Sequence, residues 1–428
     1  MTSPRSPTLC MVVHAYYPLG EPRVQRESLG ARRAGYEVTV LCLRGAGEAA
    51  TDDIDGIHVR RMPMRHVRGA GLGRILFEYL GFCLLAGWWL ARRSIWRPFD
   101  IVHVHNPPDF LVICGLIPRA RGSRLVLDVH DLSAHMFSVR VSGRLAAAVA
   151  ALLVAIERVA AACVDRVITV HEPYRRQLQR DGVAASKLEV VMNGVDEGIL
   201  ERARSASPVL PPSRRFRLAY HGTLTHWYGT DLIIGAIAEL RLADIDVEGV
   251  ILGDGDALPS LRERISDYQL DDRVHLSGRY LPIEEALATV ATADCGIVPN
   301  RPSQINQFAL SSKLFEYIAL GIPVVVARLE TLEGHFGTDE VTFFDPGDAS
   351  SLAAAVRWVH DHPTEAETKV ASAQVRARQY SWPRNREVLT GIYRDLTPAG
   401  IRLAASGSAR DPGHLDLHRE GDRQADPE

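Results

Sequence analysis

The sequence has 428 residues, of which 46% are hydrophobic and 24% are charged, and its formal net charge is -3. This balance is typical of a globular chain of two or three domains, and it argues against non-specific nucleic-acid binding as the main activity. The 6 cysteines are scattered in apolar contexts without a C-x-x-C pair. That favours buried free thiols in a reducing cytoplasm over a zinc site.

The first half of the chain alternates short β-rich runs with helical patterns. Near-continuous runs of Val, Ile and Leu are typical of strands that are covered on both faces of a parallel sheet. The connecting segments are long enough for crossover helices, so residues 1–204 are predicted to form a doubly wound domain. No signal peptide is expected before the first strand. The strands are predicted to begin near Leu9, Glu37, Asp100, Arg124, Arg166 and Leu188.

One segment of this domain, ILFEYLGFCLLAGWWLA from Ile75 to Ala91, raises the question of a membrane span. It is at or below the lower length limit for spanning, it contains Glu78, and arginines flank both of its ends. A buried helix is therefore the favoured interpretation. The alternative is a helix that touches a membrane surface with Trp88 and Trp89 near the headgroups, which would place the protein at the inner face of the membrane.

The second half repeats the same alternation after a Pro- and Ser-rich stretch, residues 205–215, which is typical of an interdomain linker. Residues 216–382 are predicted to form a second doubly wound domain. A terminal helix over residues 383–399 is predicted to return to the first domain, and residues 400–428 are predicted to be disordered. The fold class is thus α/β, with two Rossmann-like domains that face each other across a deep cleft. The strands of the second domain are predicted near Phe216, Asp246, Val274, Cys295, Ile322 and Val341.

Polar side chains follow several strands of the first domain. Ligands bind outside the carboxyl ends of the strands in doubly wound sheets, so these side chains are expected to line the cleft. Several histidines at strand ends of one sheet indicate a site more strongly than a lone histidine does. A metal site is not expected, because no third ligand stands at a recognisable spacing from His103 and His105. The candidates are His14, His103, His105, Asp128, His130, Asp131, His171 and Asn193.

Two glycine turns are predicted in the second domain. In the stretch YHGT from Tyr220, Gly222 would let backbone N–H groups approach a bound anion. The stretch GDGD, from Gly253 to Asp256, follows a buried strand. It is interpreted first as a tight turn, second as a ligand loop and last as a metal site.

The stretch SSKLFEYIALGIPVVVA predicts a short helix followed at once by a buried strand. Ser312 is the expected N-cap, Glu316 is expected at the end of the first turn, and Gly321 with Pro323 ends the helix. A cation is unfavourable at the positive end of the helix dipole. Lys313 is therefore expected either to point into water or to meet an anion such as a phosphate.

Taken together, these motifs resemble the retaining glycosyltransferases of family 4, which have the GT-B fold. The resemblance runs from about Leu9 to Leu396 and is most specific at KLFEYIALGIPVV. It implies transfer of a sugar from a nucleotide-sugar to a glycan or lipid-linked acceptor, with retained anomeric configuration and without a metal or other cofactor. It favours a role in cell-envelope or exopolysaccharide assembly, but it identifies neither the sugar, the base nor the acceptor.

The resemblance also implies roles for single residues. Glu316 matches the glutamate that holds the donor ribose, His130 matches a histidine close to the transferred sugar, and Gly20 matches a glycine near the diphosphate. Asp131 joins His130 as a catalytic candidate. The donor side is completed by Lys313, Ser312, Gly222, Thr223, Asn306, Gln307 and Arg279, and the acceptor side by Arg23, His105 and Asn193.

The chain departs from the family pattern at three positions. The first glutamate of the Glu-x7-Glu motif is Phe308, so its contact is missing or is supplied by Gln304, Asn306 or Gln307. The usual Arg and Lys of the glycine loop are Thr223 and Tyr228, which puts the weight on Lys313, with Arg23 and Arg279 as further candidate cations. A nucleotide-sugar epimerase and a non-catalytic nucleotide-sugar-binding subunit are therefore kept as alternatives.

Overall fold

A computed structural model describes residues 5–18, 21–67, 71–134, 144–195, 197–303 and 306–398 of the chain. Three expectations lie outside these residues. They are the diphosphate glycine Gly20, the candidate Gln304 and the disordered tail predicted for residues 400–428.

The first domain is built on an eight-stranded sheet in the order β3-β4-β2-β1-β5-β6-β7-β8. All neighbouring strands are parallel except β3 and β4, which pair antiparallel at one edge. Its strands are β1 (Thr8–Tyr16), β2 (Glu37–Leu43), β3 (Thr51–Ile54), β4 (Ile57–Met62), β5 (Ile101–His105), β6 (Arg124–Val129), β7 (Arg166–Thr169) and β8 (Leu188–Val190).

Helices cover both faces of this sheet, and each face has its own hydrophobic core cluster. All five residues of β5 are buried, as expected for a central strand that is covered on both sides. A short 3-10 helix, Asp109–Gly115, precedes α3. The helices are α1 (Pro22–Arg33), α2 (Leu72–Trp96), α3 (Leu116–Ala120), α4 (Arg144–Ala162), α5 (Glu172–Arg180) and α6 (Glu197–Ser205).

The second domain is a six-stranded parallel sheet in the order β11-β10-β9-β12-β13-β14, with one large core cluster. Its strands are β9 (Phe216–His221), β10 (Val247–Leu252), β11 (Val274–Leu276), β12 (Cys295–Val298), β13 (Val324–Ala327) and β14 (Thr342–Phe344). Its helices are α7 (Thr230–Leu242), α8 (Leu258–Asp267), α9 (Ile283–Val290), α10 (Ser312–Leu320), α11 (Glu330–Glu333), α12 (Ala349–Asp361) and α13 (Pro363–Ala377).

These two Rossmann-like domains confirm the predicted fold class. In both sheets the strand order reverses direction around the first strand of the domain, which leaves a crevice at the carboxyl ends of the strands. The domains also touch across the cleft, since the ring of Phe308 lies 6.3 Å from the ring of Tyr174.

The last described helix, α14 (Trp382–Leu396), packs against the first domain. Its side chains Leu389, Ile392 and Tyr393 belong to the same core cluster as residues of β1 and β2. A hydrogen bond from the backbone N–H of Met192 to the Asn385 side chain ties the end of the first domain to this helix. The chain therefore crosses between the domains twice.

The structure corrects the interpretation of α2 as a buried helix. By length and composition, residues 73–96 could cross a membrane, yet only 28% of the most apolar 18-residue window is buried. Phe82, Ala86 and Leu90 face the core of the first domain. Leu84 is 74% exposed and Trp88 63% exposed. The helix is thus apolar on the side that faces solvent as well as on the side that faces the core.

Candidate active site

The first-domain side of the cleft is organised by the loop that follows β6. The Asn106 side-chain oxygen accepts hydrogen bonds from the backbone N–H groups of His130 (2.7 Å) and Asp131 (3.3 Å). The Asn106 amide nitrogen donates to the backbone oxygen of Asp131 (2.8 Å). One buried asparagine at the end of β5 therefore fixes the backbone that carries both catalytic candidates.

The imidazole of His130 contacts a second histidine, His105, and the carboxylate of Asp128. Its Nε2 lies 3.0 Å from Nδ1 of His105 and 3.4 Å from Oδ2 of Asp128. His105 is fully buried, and burial lowers its pKa to about 4, so at neutral pH the ring is uncharged and its Nδ1 can accept a hydrogen bond from Nε2 of His130. His105, predicted on the acceptor side, thus lies beneath His130 and orients it.

His130 is a cation at neutral pH. Burial would lower its pKa, but the carboxylates of Asp128 and Glu21 outweigh burial and raise the pKa to about 9. Its side chain keeps 9% exposure. The structure therefore places a positively charged donor of hydrogen bonds at the rim of the cleft.

Arg23 explains how Asp128 stays charged in the core. Its Nε lies 2.8 Å from Oδ2 of Asp128 and 3.1 Å from Oε1 of Glu27, and all three side chains are buried. Burial would raise the pKa of Asp128, but Arg23 and His130 hold it well below its usual value. Arg23 also donates to the oxygens of Val191 and Asn193. The positive charge of Arg23 is therefore used within this buried network. Arg23 is thus no longer a candidate for binding the donor phosphates.

Among the described residues, one group could in principle hold a metal ion: Glu27, His103, His105 and Asp128. The guanidinium of Arg23 already lies among these side chains, where it balances the charge of Asp128, while burial raises the pKa of Glu27 to about 8. A divalent ion beside it would add uncompensated charge to a fully buried site. The donor set therefore fits an arginine-centred network better than it fits a metal.

The two remaining acceptor-side and catalytic candidates lie at the cleft surface. Asn193 is exposed, and its side-chain oxygen accepts from Arg23 (2.9 Å) and from Arg26 (3.3 Å). Asp131 is half-buried, and burial raises the pKa of its carboxyl, with His130 opposing the rise. Asp131 lies close enough to Tyr228 of the second domain to affect the pKa of that phenol, so it faces across the cleft.

Lys313 dominates the second-domain side. Its ammonium lies 5.2 Å from the ring centre of Tyr220 and 5.0 Å from that of Tyr228, both within cation–π range. A Cβ added at Gly222 would lie 3.1 Å from the Lys313 nitrogen. Burial lowers the pKa of Lys313, with Glu316 opposing the decrease. Lys313 and the glycine turn, which were predicted separately, therefore lie side by side and form one candidate anion site.

Glu316 lies one helical turn beyond Lys313 and faces His221. Its Oε2 is 2.9 Å from Nε2 of His221, but the two atoms are not aligned for a hydrogen bond, and both are buried without another partner among the described residues. Burial would raise the pKa of Glu316, yet His221, Lys313 and Arg26 lower it. His221 contacts a single oxygen of this carboxylate, so the second oxygen keeps acceptor capacity for hydroxyl groups.

The two glycine turns of the second domain pack against each other. A Cβ on Gly253 would meet the backbone oxygen of Gly222 at 1.8 Å, and one on Gly255 would meet that of Leu224 at 2.1 Å. The side chain of Asp254 accepts a hydrogen bond from the backbone N–H of Gly255 (2.8 Å). GDGD is thus a tight turn, as first interpreted. The hydroxyl of Thr223 lies 3.5 Å from that of Tyr280 at the edge of this turn.

The start of α10 differs from the prediction by one residue. Ser311 occupies the N-cap position, without a side-chain capping bond, and Ser312 is the first helical residue and is exposed. Glu316 therefore lies in the second turn, and no acidic residue stands in the first turn. Gly321 ends the helix in the left-handed conformation, with φ 79°.

The loop before α10 holds the residues considered as substitutes for the missing glutamate. Asn306 is buried, and its amide donates to the backbone oxygens of Trp227 and Arg301. Gln307 is exposed, and its backbone oxygen accepts from the hydroxyl of Thr331. Phe308 packs towards Tyr174 of the first domain. Asn306 thus shapes the loop, whereas the side chain of Gln307 is exposed. Arg279 is exposed and forms an isolated bridge with Gly253.

Four residues of the site were not singled out from the sequence: Glu21, Arg26, Glu27 and His221. Arg26 is near enough to Glu316 to lower its pKa, so a first-domain cation faces the donor side of the cleft. His221 ends β9 directly before Gly222, the position at which strand-end histidines were noted in the first domain. Arg23 and Glu27 are four residues apart on α1, a spacing that predicts an ion pair.

Comparisons with known proteins agree with this architecture. Residues 20–194 match the family described as glycosyl transferase 4-like domain, and residues 215–362 match the family described as glycosyl transferases group 1. The D-inositol 3-phosphate glycosyltransferase 1 of Catenulispora acidiphila is 24% identical over 366 residues, which are 81% of this chain and 82% of the relative.

Two solved structures show the same fold. Sucrose-phosphate synthase from Thermosynechococcus elongatus superposes with a TM-score of 0.70 at 17% identity, over 91% of this chain and 99% of the other. A protein from E. coli described as trehalose-6-phosphate bound with UDP-2-fluoro glucose superposes with a TM-score of 0.67 at 12% identity, over 91% and 99%. The fold is therefore GT-B. With both domains matched by glycosyltransferase families, the chain belongs to the group 1 glycosyltransferases.

Proposed function

We propose that the protein is a retaining glycosyltransferase of family 4 that moves a sugar from a nucleotide-sugar to a glycan or lipid-linked acceptor in cell-envelope or exopolysaccharide assembly. The observation that carries the proposal is the grouping of Lys313, Gly222 and the buried Glu316–His221 pair at the carboxyl end of β9. A related structure contains UDP-2-fluoro glucose, which supports a nucleotide-sugar donor.

The second domain would bind the donor. The Lys313 ammonium and the N–H groups of the glycine turn would hold the diphosphate, since oriented dipoles and a cation stabilise the charge that develops on a leaving group. Glu316 would accept hydrogen bonds from the ribose hydroxyls through Oε1, because Oε2 is buried against His221. With Thr223 and Tyr228 in the glycine loop, Arg26 from the first domain would supply a second positive charge when the domains meet.

The proposed transfer step is the front-face substitution, assisted by the leaving group, that the family resemblance implies. The bond between the anomeric carbon and the diphosphate oxygen breaks, and its electron pair leaves with the nucleoside diphosphate. The acceptor oxygen forms a bond to the same face of the anomeric carbon, and its proton passes to the departing phosphate oxygen. The imidazolium of His130 would donate a hydrogen bond to the transferred sugar. No metal takes part in this scheme. Because nucleotide sugars are present in the cytoplasm, we propose that the reaction takes place there.

The test begins with the donor. In a thermal-shift series with UDP, GDP, dTDP and ADP, one nucleotide is expected to raise the melting temperature of the protein, because a ligand that binds only the native state stabilises it. Lys313→Ala should abolish that shift. Lys369→Ala is the matched control, because Lys369 also stacks on an aromatic ring, that of Trp358, but lies away from the glycine turn.

The same variants decide whether the site is catalytic. With the nucleotide-sugar identified in this way and EDTA present, Lys313→Ala and Glu316→Ala should each reduce transfer at least 100-fold, since each removes an interaction with the donor. The anomeric proton coupling of the product should match that of the donor.

Near-normal transfer by both variants would contradict the assignment of the site. Nucleotide binding without transfer to any acceptor would favour the non-catalytic alternative, and release of an epimerised nucleotide-sugar would favour the epimerase.

A further inference from the structure

The solvent-facing side of α2 is a long apolar surface that no other described part of the chain covers. Leu76, Leu80, Leu84 and Trp88 follow one another at four-residue spacing, and Ile95 continues the line. Each of these side chains is at least 47% exposed. At 1.5 Å per residue the line from Leu76 to Ile95 is about 28 Å long. We call it the α2 ridge.

The neighbouring segment widens this surface. Ile113 of the 3-10 helix and Ile117 of α3 are 58% and 55% exposed, and both segments pack beside α2. Monomeric soluble proteins rarely expose one contiguous apolar patch of this kind without a binding function. The patch belongs to the first domain and lies outside the catalytic groups described above.

Charges on the ridge are distributed in a way that favours an anionic surface. Glu78 is the acidic residue of α2, and it is buried, where Arg74 forms an ion pair with it and the His66 ring contacts it, at 2.9 Å each. Arg92 and Arg97 are exposed at the other end of the helix, and the guanidinium of Arg92 lies over the ring of Trp88. The exposed side of α2 is thus apolar along its length and basic at its end.

The opposite side of α2 decides how the helix can meet a bilayer. Phe82, Ala86 and Leu90 are packed into the core of the first domain, so the helix cannot leave the domain to span a membrane. A helix with one side in a protein core and an apolar, arginine-flanked side in solvent is suited to lie in the plane of the headgroups. A second copy of the chain is a poorer occupant, because an isologous contact would bring the arginines of both copies together.

We propose that the α2 ridge docks the protein on a bilayer that contains anionic lipid. The first turns of α2 also approach the cleft, since the ring of Tyr79 lies 4.6 Å from that of His14, which is near the carboxyl end of β1. Docking on this side would present the cleft to an acceptor that is held in the membrane. This last step rests on the proposed glycosyltransferase function, whereas the docking itself does not.

The experiment is sedimentation of the full chain with vesicles of phosphatidylcholine, with and without phosphatidylglycerol. The wild-type protein should bind the anionic vesicles at low salt and bind them less at high salt. Leu84→Gln with Trp88→Gln should lower the partition coefficient at least tenfold, because two exposed apolar side chains no longer enter the interface. Leu242→Gln with Val375→Gln is the matched control on the second domain and should bind as the wild type does.

A charge-reversal pair separates the electrostatic contribution. Arg92→Glu with Arg97→Glu should reduce binding to anionic vesicles at least tenfold and leave the weak binding to pure phosphatidylcholine unchanged. Arg214→Glu with Arg378→Glu makes the same change in net charge elsewhere and should have little effect. All variants should keep the melting temperature of the wild type, since the substituted side chains are exposed.

Two results would overturn the proposal. One is the absence of wild-type binding at low salt. The other is a wild-type dimer that Leu84→Gln with Trp88→Gln converts to a monomer, since a second copy would then cover the ridge. Vesicle binding is measured without a donor or an acceptor, so a protein that binds vesicles but transfers no sugar contradicts only the proposed function.

Discussion

His130 is held as a cation by two carboxylates that come from different parts of the first domain. Its pKa is raised from 6.5 to about 9 by Asp128 and Glu21 against the effect of burial. Between these two pH values the native protein keeps a proton that the unfolded chain releases. The contribution of His130 to the free energy of unfolding is therefore fully present below pH 6.5 and is lost as the pH rises towards 9.

We expect this loss to reach about 3 kcal/mol, the free energy that corresponds to a pKa shift of this size. Urea denaturation of the wild type and of His130→Gln at pH 6.5 and pH 9 measures it as the change in their difference. An NMR titration of the imidazole gives the pKa directly, with His14, whose pKa burial lowers to about 4, as an internal comparison. A midpoint for His130 at or below 6.5 would contradict the assigned network.

Lys313 shows what sequence reasoning could and could not reach at this scale. The helix dipole allowed two expectations, a solvated lysine or a bound anion. The structure adds aromatic rings on both sides of the ammonium, those of Tyr220 and Tyr228. Tyr228 stands where the family has a lysine, and a cation at that position would repel Lys313. The tyrosine at position 228 is therefore compatible with a lysine at position 313, where a lysine at position 228 would not be. The two residues are far apart in the chain, so no local sequence pattern could indicate this relation.

At the scale of single elements, glycine is expected to stabilise one helix of this chain and to destabilise another. Gly321 ends α10 with φ 79°, a conformation that strains any residue with a Cβ. Gly391 lies inside α14, and a Cβ there would meet nothing within 4 Å. Gly321→Ala should lower the free energy of unfolding by about 1 kcal/mol, and Gly391→Ala should raise it by up to about 1 kcal/mol.

Thermal or urea denaturation of the two variants checks these signs. The chemical change is the same in both, so effects of alanine on the unfolded chain cancel in the comparison. Equal effects of the same sign would show that the backbone conformation at Gly321 is not what requires glycine there.

Most strands could be predicted because buried parallel strands are nearly continuous runs of Val, Ile and Leu. The β3–β4 hairpin was missed, since its strands are short, polar on one face and at the sheet edge. A signal was nevertheless present. Asp55 and Gly56 form a two-residue turn with φ 54° and 72°, and Asp-Gly is a typical hairpin sequence. The exposure of α2 was also missed, because apolar composition predicts burial unless the structure shows which side is covered.

At the scale of the whole molecule, the charge network under His130 depends on α14. The hydroxyl of Tyr393 lies 2.8 Å from Nδ1 of His103, and the ring of His103 lies 4.2 Å from that of His105, the partner of His130. These residues come from opposite ends of the chain, so neither spacing nor local pattern could bring them together in a prediction. Because ligands bind at the carboxyl ends of parallel strands, the sequence could place the histidines at one edge of the sheet. It could not place Arg23 and Tyr393, which contact the same network.

Leu389 tests this dependence, because its side chain on α14 is fully buried in the first-domain core. Leu389→Ala should lower the free energy of unfolding by about 2–5 kcal/mol, whereas Val388→Ala, at a side chain 38% exposed, should change it by less than 1 kcal/mol. Hydrogen exchange should accelerate in β1 of the first domain and not in β9 of the second. Uniform acceleration in both sheets would contradict the separate attachment of α14 to the first domain.

The position of α14 also has a consequence for biosynthesis. The first domain contributes its last strand by residue 190, yet the helix that completes one of its two core clusters begins at residue 382. At translation rates of about 5–20 residues per second, the ribosome needs roughly 10–40 s to make the chain between them. During that interval Val38, Ile101 and their neighbours lack the side chains that cover them. The domain that is synthesised first is thus finished last, after the second domain has had time to fold.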